Sequence, residues 1–269
     1  MIREARVTLG GRTTRYLDAG VGRPILLLHA FPLNADMWRP QLAHVPSGWR
    51  MVAPDLLGFG LSPRPPGAPP PTIDEVAGDL DALMYALEIR AAVIAGLSMG
   101  GYVAFALFRR APQRFTGMVL ADTKAQADTQ EGREGRRKMI DLVREGGARA
   151  VADQMLPKLL GPTSHDSRPE VALAVRQMIE AAPVSAIADA SRAMMGRPDS
   201  IPDLAAARCP GLVIVGAEDA ITPATDAAVM HRAIAGSRMV VLPGVGHLSS
   251  LEAPDAFSSA LSGFLQSGM

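Results

Sequence analysis

Short apolar runs alternate along the chain with longer stretches in which apolar residues recur every three or four positions. The opening segment "EARVTLGGRTTRYLDAG" alternates polar and apolar residues about Gly10 and Gly11, which predicts a two-strand hairpin. Six later runs, "PILLLHA", "RMVAPD", "AAVIAG", "TGMVLAD", "GLVIVGAED" and "SRMVVLPG", lack strict alternation, as strands covered on both faces do. Helical periodicity falls between them, over residues 73–88, 99–110, 223–234 and 252–266. Strand and helix in turn predict an α/β fold: a mostly parallel eight-stranded sheet with helices on both faces.

The rhythm breaks once. From about 124 to 203 there is no strand pattern, only amphipathic helical stretches punctuated by Gly146, Gly147, Gly161, Pro162, Pro169, Pro183 and Gly196. The expectation is a core domain from 1–123 and 204–269, with an all-helical cap, 124–203, inserted after the sixth strand. Such an insertion lies over the C-terminal edge of the sheet, where open α/β folds bind ligands, so it is a candidate lid. Five of the 14 methionines fall in it (Met139, Met155, Met178, Met194 and Met195) and read first as fillers of a small helical core. The cluster "SPRPPGAPPPT" at 62–72 reads as a stiff surface loop, because strand patterns continue on both sides of it.

Composition narrows the function. With 269 residues, 48% of them hydrophobic, the chain can bury a large core. Twenty-seven basic residues balance 27 acidic ones, which removes the electrostatic argument for nucleic acid or an acidic membrane as partner. The single cysteine, Cys209, beside Pro210, precludes an internal disulfide and reads as a packed small hydrophobe. The N-terminus lacks the apolar core of a secretion signal, and no apolar run approaches the roughly 18 residues a bilayer span needs. A cytoplasmic protein acting on a small molecule is the expectation, with the oligomeric state left open. No histidine or acid spacing suggests a zinc site, so no metal or cofactor is expected.

Chemistry enters at residues 96–100, "GLSMG", a G-x-S-x-G placed between the strand "AVIAG" and the helix "MGGYVAFALFRRAP". A turn that tight strains the serine backbone, brings positions 96 and 100 too close for side chains, and projects the Ser98 hydroxyl at the head of a helix. A serine hydroxyl is a weak nucleophile and needs a base and an orienting acid. Of five histidines, His247 follows the last strand in "GVGHLSSLEAP"; His44 and His231 read as exposed, and His165 as a cap residue able to touch substrate. Two acids compete. Asp219 in "GAEDAITP" follows the strand next to that of His247 and is favoured; Asp122 after "MVLA" reads as a cap for the insertion's first turn, and Glu218 as solvent-facing. The N–H groups of Met99 and of Phe31, in the loop "HAFPLNADMW", would form an oxyanion hole. His29, Pro32, Met139, Met155, Met194 and Leu248 are the expected lining of the substrate pocket.

Through "HAFPLNADMW", "APDLLGFGLS", "GLSMGGYVAF", "GAEDAITP" and "GVGHLSSLEAP" the chain resembles the α/β-hydrolase superfamily. Within it, the chain is similar to the small carboxylesterases, cofactor-free perhydrolases and 3-oxoadipate enol-lactonases, which carry a helical cap between strands six and seven. The resemblance implies Ser98 as nucleophile, His247 as base, Asp219 as acid, and Phe31 and Met99 as the oxyanion hole. Serine rather than aspartate at 98 argues against the dehalogenases and epoxide hydrolases. Ala30 stands where many relatives have glycine, and Pro32 where perhydrolase-like members tend to have proline. An enol-lactonase must hold an anion, but Arg133, Arg136, Arg137 and Lys138 crowd one polar helix and read as a solvated face. The implied activity is that of a serine carboxylesterase acting on a small ester; lactone hydrolysis and perhydrolysis are the alternatives, and a slow-turnover ligand receptor is the reading from another class.

Overall fold

Apolar runs without alternation need cover on both faces, and the chain provides it by winding them into one sheet. The computed structural model describes residues 1–267. Its strands are β1 (Arg3–Leu9), β2 (Arg12–Gly20), β3 (Arg23–Leu28), β4 (Trp49–Pro54), β5 (Ala92–Leu97), β6 (Phe115–Ala121), β7 (Gly211–Gly216) and β8 (Arg238–Leu242). They lie in the order β1-β2-β4-β3-β5-β6-β7-β8. The hairpin expected at Gly10–Gly11 is there: β1 pairs antiparallel with β2, and β2 antiparallel with β4, so the remaining strands form a parallel body. Ile25–Leu28 on β3 and Val93–Ile94 on β5 are fully buried, as two-sided cover requires. One strand departs from expectation. β8 is the sheet edge, so Met239 and Val240 are only half-buried and Val241 is exposed, despite an apolar run like those of the inner strands.

The helices are α1 (Arg39–Ala43), α2 (Ile73–Ala86), α3 (Met99–Arg110), α4 (Gln130–Leu159), α5 (Pro162–Ser167), α6 (Pro169–Glu180), α7 (Val184–Met195), α8 (Ile201–Ala206), α9 (Ala224–Ala233), α10 (Ser249–Glu252) and α11 (Pro254–Gln266). Five of them, α4 to α8, separate β6 from β7, which is the helical insertion after the sixth strand. Thr129 opens it by accepting the Gly132 N–H at 3.1 Å on its hydroxyl. α4 breaks at Gly147, whose φ of 69° ends one helix and starts another. α6 and α7 pack on α4, whereas α8 packs on α9 and α3 of the core. Arg197, behind α7, anchors the insertion: it pairs with Asp128 at 2.8 Å and stacks its guanidinium 3.9 Å above the Tyr102 ring of α3. Among the described residues no single helix is long and apolar enough to cross a membrane.

Because the inner strands are parallel, the segments that follow β3, β5, β6, β7 and β8 all emerge at one edge. Arg15, on β2 and only 3% exposed, ties two of the loops there in place. Its guanidinium donates to Asp55 Oδ1 at 3.2 Å, Asp36 Oδ1 at 3.1 Å and Glu4 Oε2 at 2.8 Å. Asp55, fully buried, also accepts the N–H groups of Ala35 and Leu61, each at 2.8 Å, so one carboxylate holds the loop after β3 against the loop after β4. Removing one partner of a buried ion pair leaves an unpaired charge, a loss of about 3–5 kcal/mol. Arg15→Ala is therefore expected to lower unfolding free energy by that order, read as a reduced urea midpoint.

Candidate active site

The bend at residues 96–100 is made by contact distances. At Gly96 a Cβ would overlap the Gly100 backbone, and at Gly100 it would overlap the carbonyl of Leu28 at the end of β3. Ser98 takes φ 55° and ψ −115°, a conformation costing about 1–3 kcal/mol. Three bonds hold it there: its N–H donates to Ala121 O at 2.9 Å, and its carbonyl accepts the Gly101 N–H at 2.9 Å and the Thr123 hydroxyl at 2.8 Å. Although Ser98 stands at the cap position of α3, its hydroxyl makes no capping bond. It lies instead 2.8 Å from His247 Nε2.

His247, in the loop after β8, is 1% exposed, and its Nδ1 stands 2.8 Å from Asp219 Oδ2 and 3.0 Å from Oδ1. Asp219, in the loop after β7, accepts the Ile221 and Thr222 N–H groups at 2.8 and 3.0 Å and the Thr222 hydroxyl at 2.8 Å. Burial opposes its charge, but the facing imidazole and these donors hold its pKa below the usual value. Burial likewise disfavours the imidazolium of His247, but the charge and hydrogen bond of Asp219 outweigh it and hold its pKa above the ordinary value. Glu252, 3% exposed, brackets the histidine from the other side. Its carboxylate accepts the N–H of Gly246 at 2.9 Å, of Leu248 at 2.9 Å, and of Gly161 in the insertion at 2.8 Å. Thr222 and Glu252 escape a reading of the sequence; the S-x-x-E spelling of residues 249–252 is the one available signal for the latter.

Two acids sit differently from expectation. Glu218 is not simply solvent-facing: its carboxylate takes the Thr163 hydroxyl at 2.6 Å and the Thr163 N–H at 3.1 Å at the start of α5. Asp122 does not cap the first helix of the insertion, since α4 begins eight residues later. Fully buried at φ 43°, it accepts the Gly216 N–H at 2.9 Å, and its Oδ2 takes the Ser249 hydroxyl and, at 3.3 Å, the Ser249 N–H. It thereby stitches β6 to β7 and to the segment behind His247. Of the other histidines, His44 is exposed as expected, His231 is half-buried with Nδ1 2.8 Å from the Ser237 hydroxyl, and His165 lies in α5.

Met99 follows Ser98 at the head of α3, and Phe31 lies in the loop after β3. Leu28 pairs with Gly96 across the sheet, so the loop after β3 runs beside the bend. Among the described residues neither N–H has a protein acceptor; that of Met99 is one of those a helix start leaves free. Next to Met99 opens an apolar cavity of about 260 Å³, walled by Phe59, Pro65 and Pro71 on one side and Pro183, Ala186 and Ala190 of α7 on the other. Phe59 joins it to the Ser98 neighbourhood by edge contacts with Phe31 and His29, at centroid separations of 6.4 and 5.4 Å. The proline cluster is thus more than a surface loop. None of the six residues expected to line the pocket lies on this wall. His29 is fully buried, with Nδ1–H donating to Ala30 O at 2.9 Å and Nε2 accepting the Leu56 N–H at 3.0 Å; burial keeps its pKa low and the ring neutral. Pro32 is buried in the loop, while Leu248 and Met194 are core residues. Met139 and Met155 are half-buried against the core of the insertion. Arg133, Arg137 and Lys138 are exposed, and Arg136 pairs with Asp128 at 3.2 Å.

Asp122 also bears on stability. Burial first, and then the Asp219 charge, push its pKa up to about 8 from 3.8. A raised carboxyl pKa means the folded state binds the proton more tightly. Its stabilisation is whole below about pH 4 and is lost as pH rises towards 8. Relative to wild type, Asp122→Asn is expected to gain unfolding free energy steadily between pH 4 and 8 and to level off above 9, in urea titrations across that range.

The alpha/beta hydrolase fold family matches residues 23–254. The chain is 29% identical to 3-oxoadipate enol-lactonase 2 of Acinetobacter baylyi over 240 residues, 89% of this chain and 87% of the lactonase. A solved structure of a thermophilic esterase from Thermogutta terrifontis, with malate bound, superposes with a TM-score of 0.92 at 38% identity, covering 98% of both chains. The enol-lactonase from Burkholderia xenovorans superposes with a TM-score of 0.89 at 29% identity, over 97% of this chain and 99% of that one. A match to most of the chain, on a sheet of this order with its helical insertion, makes this protein a member of the alpha/beta hydrolase fold family.

Proposed function

We propose that the protein is a serine hydrolase that cleaves carboxylic ester bonds of small substrates through an acyl-enzyme. The observation that carries this reading is the unbroken chain from the Ser98 hydroxyl to His247 Nε2, at 2.8 Å, and from His247 Nδ1 to the Asp219 carboxylate, at 2.8 Å. In it, Ser98 Oγ attacks the ester carbonyl as Nε2 takes its proton. Asp219 holds the ring with its Nδ1 protonated and stabilises the imidazolium that forms. The carbonyl oxygen, now negative, receives the N–H groups of Phe31 and Met99, each worth about 3 kcal/mol in such sites. The imidazolium returns its proton to the departing alkoxide, which leaves as alcohol. Water, deprotonated by the same imidazole, then attacks the acyl-enzyme; the acid departs and Ser98 is restored. The insertion of residues 124–203 acts as the cap that keeps bulk water from the reacting bond.

A lactone is an internal ester and is opened by the same steps, and the enol-lactonase relatives favour it as a second reading. The two separate on a panel of neutral esters against carboxylated lactones, read as kcat/KM. With a p-nitrophenyl ester, Ser98→Ala is expected to lose at least about 10³-fold in kcat, and Asp219→Asn about 10⁴-fold through loss of the productive tautomer. Steady turnover persisting in Ser98→Ala overturns the assignment; a single stoichiometric acylation without release favours the receptor. The base must be neutral to act, and the pKa of His247 is raised above 6.5. The value of kcat/KM is therefore expected to rise with pH with a midpoint above 6.5 and then hold level, and in Asp219→Asn the residual activity is expected to show a lower midpoint.

A further inference from the structure

The cavity beside Met99 is apolar, but two charged side chains reach its wall: Arg64 from the proline-rich loop and Asp189 from α7. They face each other across the junction between core and insertion, with Arg64 Nε 3.0 Å from Asp189 Oδ2. Asp189 is the more deeply placed, its side chain 8% exposed against 22% for Arg64. Its other oxygen, Oδ1, accepts from Arg192 at 2.9 Å, and Arg64 also donates to the Ala68 carbonyl of its own loop. The two charges on the cavity wall offset each other, and Asp189 is shared between Arg64 on the wall and Arg192 outside it.

We propose that Asp189 sets the charge preference of the site: by occupying Arg64 it leaves a substrate carboxylate without a counter-ion in the cavity and restricts turnover to esters whose buried group is neutral and apolar. The proposal rests on the reading of Ser98 as the nucleophile. The physical argument is one of desolvation. A carboxylate entering an apolar cavity gives up its hydration and is accepted only if a cation or several donors replace it. Arg64 is the group placed to do so, yet any anion approaching it meets Asp189 at bonding distance and is repelled. Substituting asparagine at 189 keeps the shape and an acceptor for Arg192, removes the repulsion, and releases the fork of Arg64 for a carboxylate.

The test is a matched substrate pair: methyl hexanoate and monomethyl adipate, the same chain ending in a methyl group or in a carboxylate. Wild type is expected to favour the neutral ester by at least about tenfold in kcat/KM, and Asp189→Asn to shrink that ratio by about tenfold or more through a lower KM for the adipate. Arg64→Gln, which leaves Asp189 to Arg192 alone, is expected to widen the ratio instead. A ratio that stays within about twofold of wild type in Asp189→Asn, while turnover still depends on Ser98, removes the charge filter and leaves the esterase reading intact. Calorimetry in the Ser98→Ala background separates the two ideas. Hexanoate is expected to bind about tenfold more tightly once Asp189 is also replaced by asparagine, with 1-hexanol moving less. If turnover does not depend on Ser98, the esterase reading falls and this binding difference alone decides the proposal; equal shifts for hexanoate and hexanol overturn it.

Discussion

The site depends on one close approach. The first turn of α3 can touch the ends of β3 and β5 because residues 96 and 100 carry no side chain, and the strained backbone at Ser98 follows from that contact. A single Cβ at either glycine drives the helix head away from the sheet, and the 98 hydroxyl would no longer rise beside the Met99 N–H. A conformation costing about 1–3 kcal/mol survives only where its surroundings enforce it. Here the enforcement comes from β6, through Ala121 and Thr123, as much as from the glycines. The strain is thus a property of three neighbouring strands rather than of the bend itself.

A second constraint answers the first. His247 lies 149 positions from Ser98 in the chain, and the loop that carries it has no regular structure of its own, so buried carboxylates supply the rigidity. Asp219 fixes the ring, Glu252 fixes the backbone on either side of it, and Asp122 fixes the segment just behind. Three acids around one imidazole would repel one another if all were charged and bare. Backbone N–H groups bond to the carboxylates of Glu252 and Asp219, while Asp122 keeps its proton near neutral pH because burial and the Asp219 charge disfavour its ionisation. The insertion joins this arrangement at Gly161, which donates to Glu252, and at Thr163, which donates to Glu218. Those two contacts tie the insertion to the loops that carry His247 and Asp219.

How much of this was legible beforehand follows from what kind of information each part uses. The eight strands, their parallel arrangement, the helical insertion and the meeting of Ser98, Asp219 and His247 are written in local patterns: period, glycine spacing, and the rule that residues after parallel strands share an edge. β8 shows the limit, because its apolar run is the same whether a ninth strand covers it or not. Asp122 shows another. Its neighbours Gly216 and Ser249 lie 94 and 127 positions away, so nothing local distinguishes a stitch between strands from a helix cap. The methionines show a third, since a flexible apolar side chain suits the insertion's own core as well as a ligand, and the sequence leaves both readings open. Met194 is wholly core, and Met139 and Met155 are half-buried against it.

The same distinction explains why reaction type and substrate preference sit at different depths in the sequence. Ser98, Asp219 and His247 hang from strand ends whose positions the sheet dictates, so their chain spacing is constrained and readable. The cavity is made where a proline-rich loop of the core meets α7 of the insertion, two segments about 120 residues apart whose relative placement rests on Arg197, Glu252 and the Arg64–Asp189 pair. Prolines suit that wall because their φ is fixed and they carry no N–H to satisfy, so an irregular loop can face an apolar cavity without stranding donors. A change in that loop or in α7 leaves Ser98, His247 and Asp219 untouched and reshapes the cavity. On the reading proposed above, the charge on this wall then bears more on substrate choice than the residues at the strand ends do.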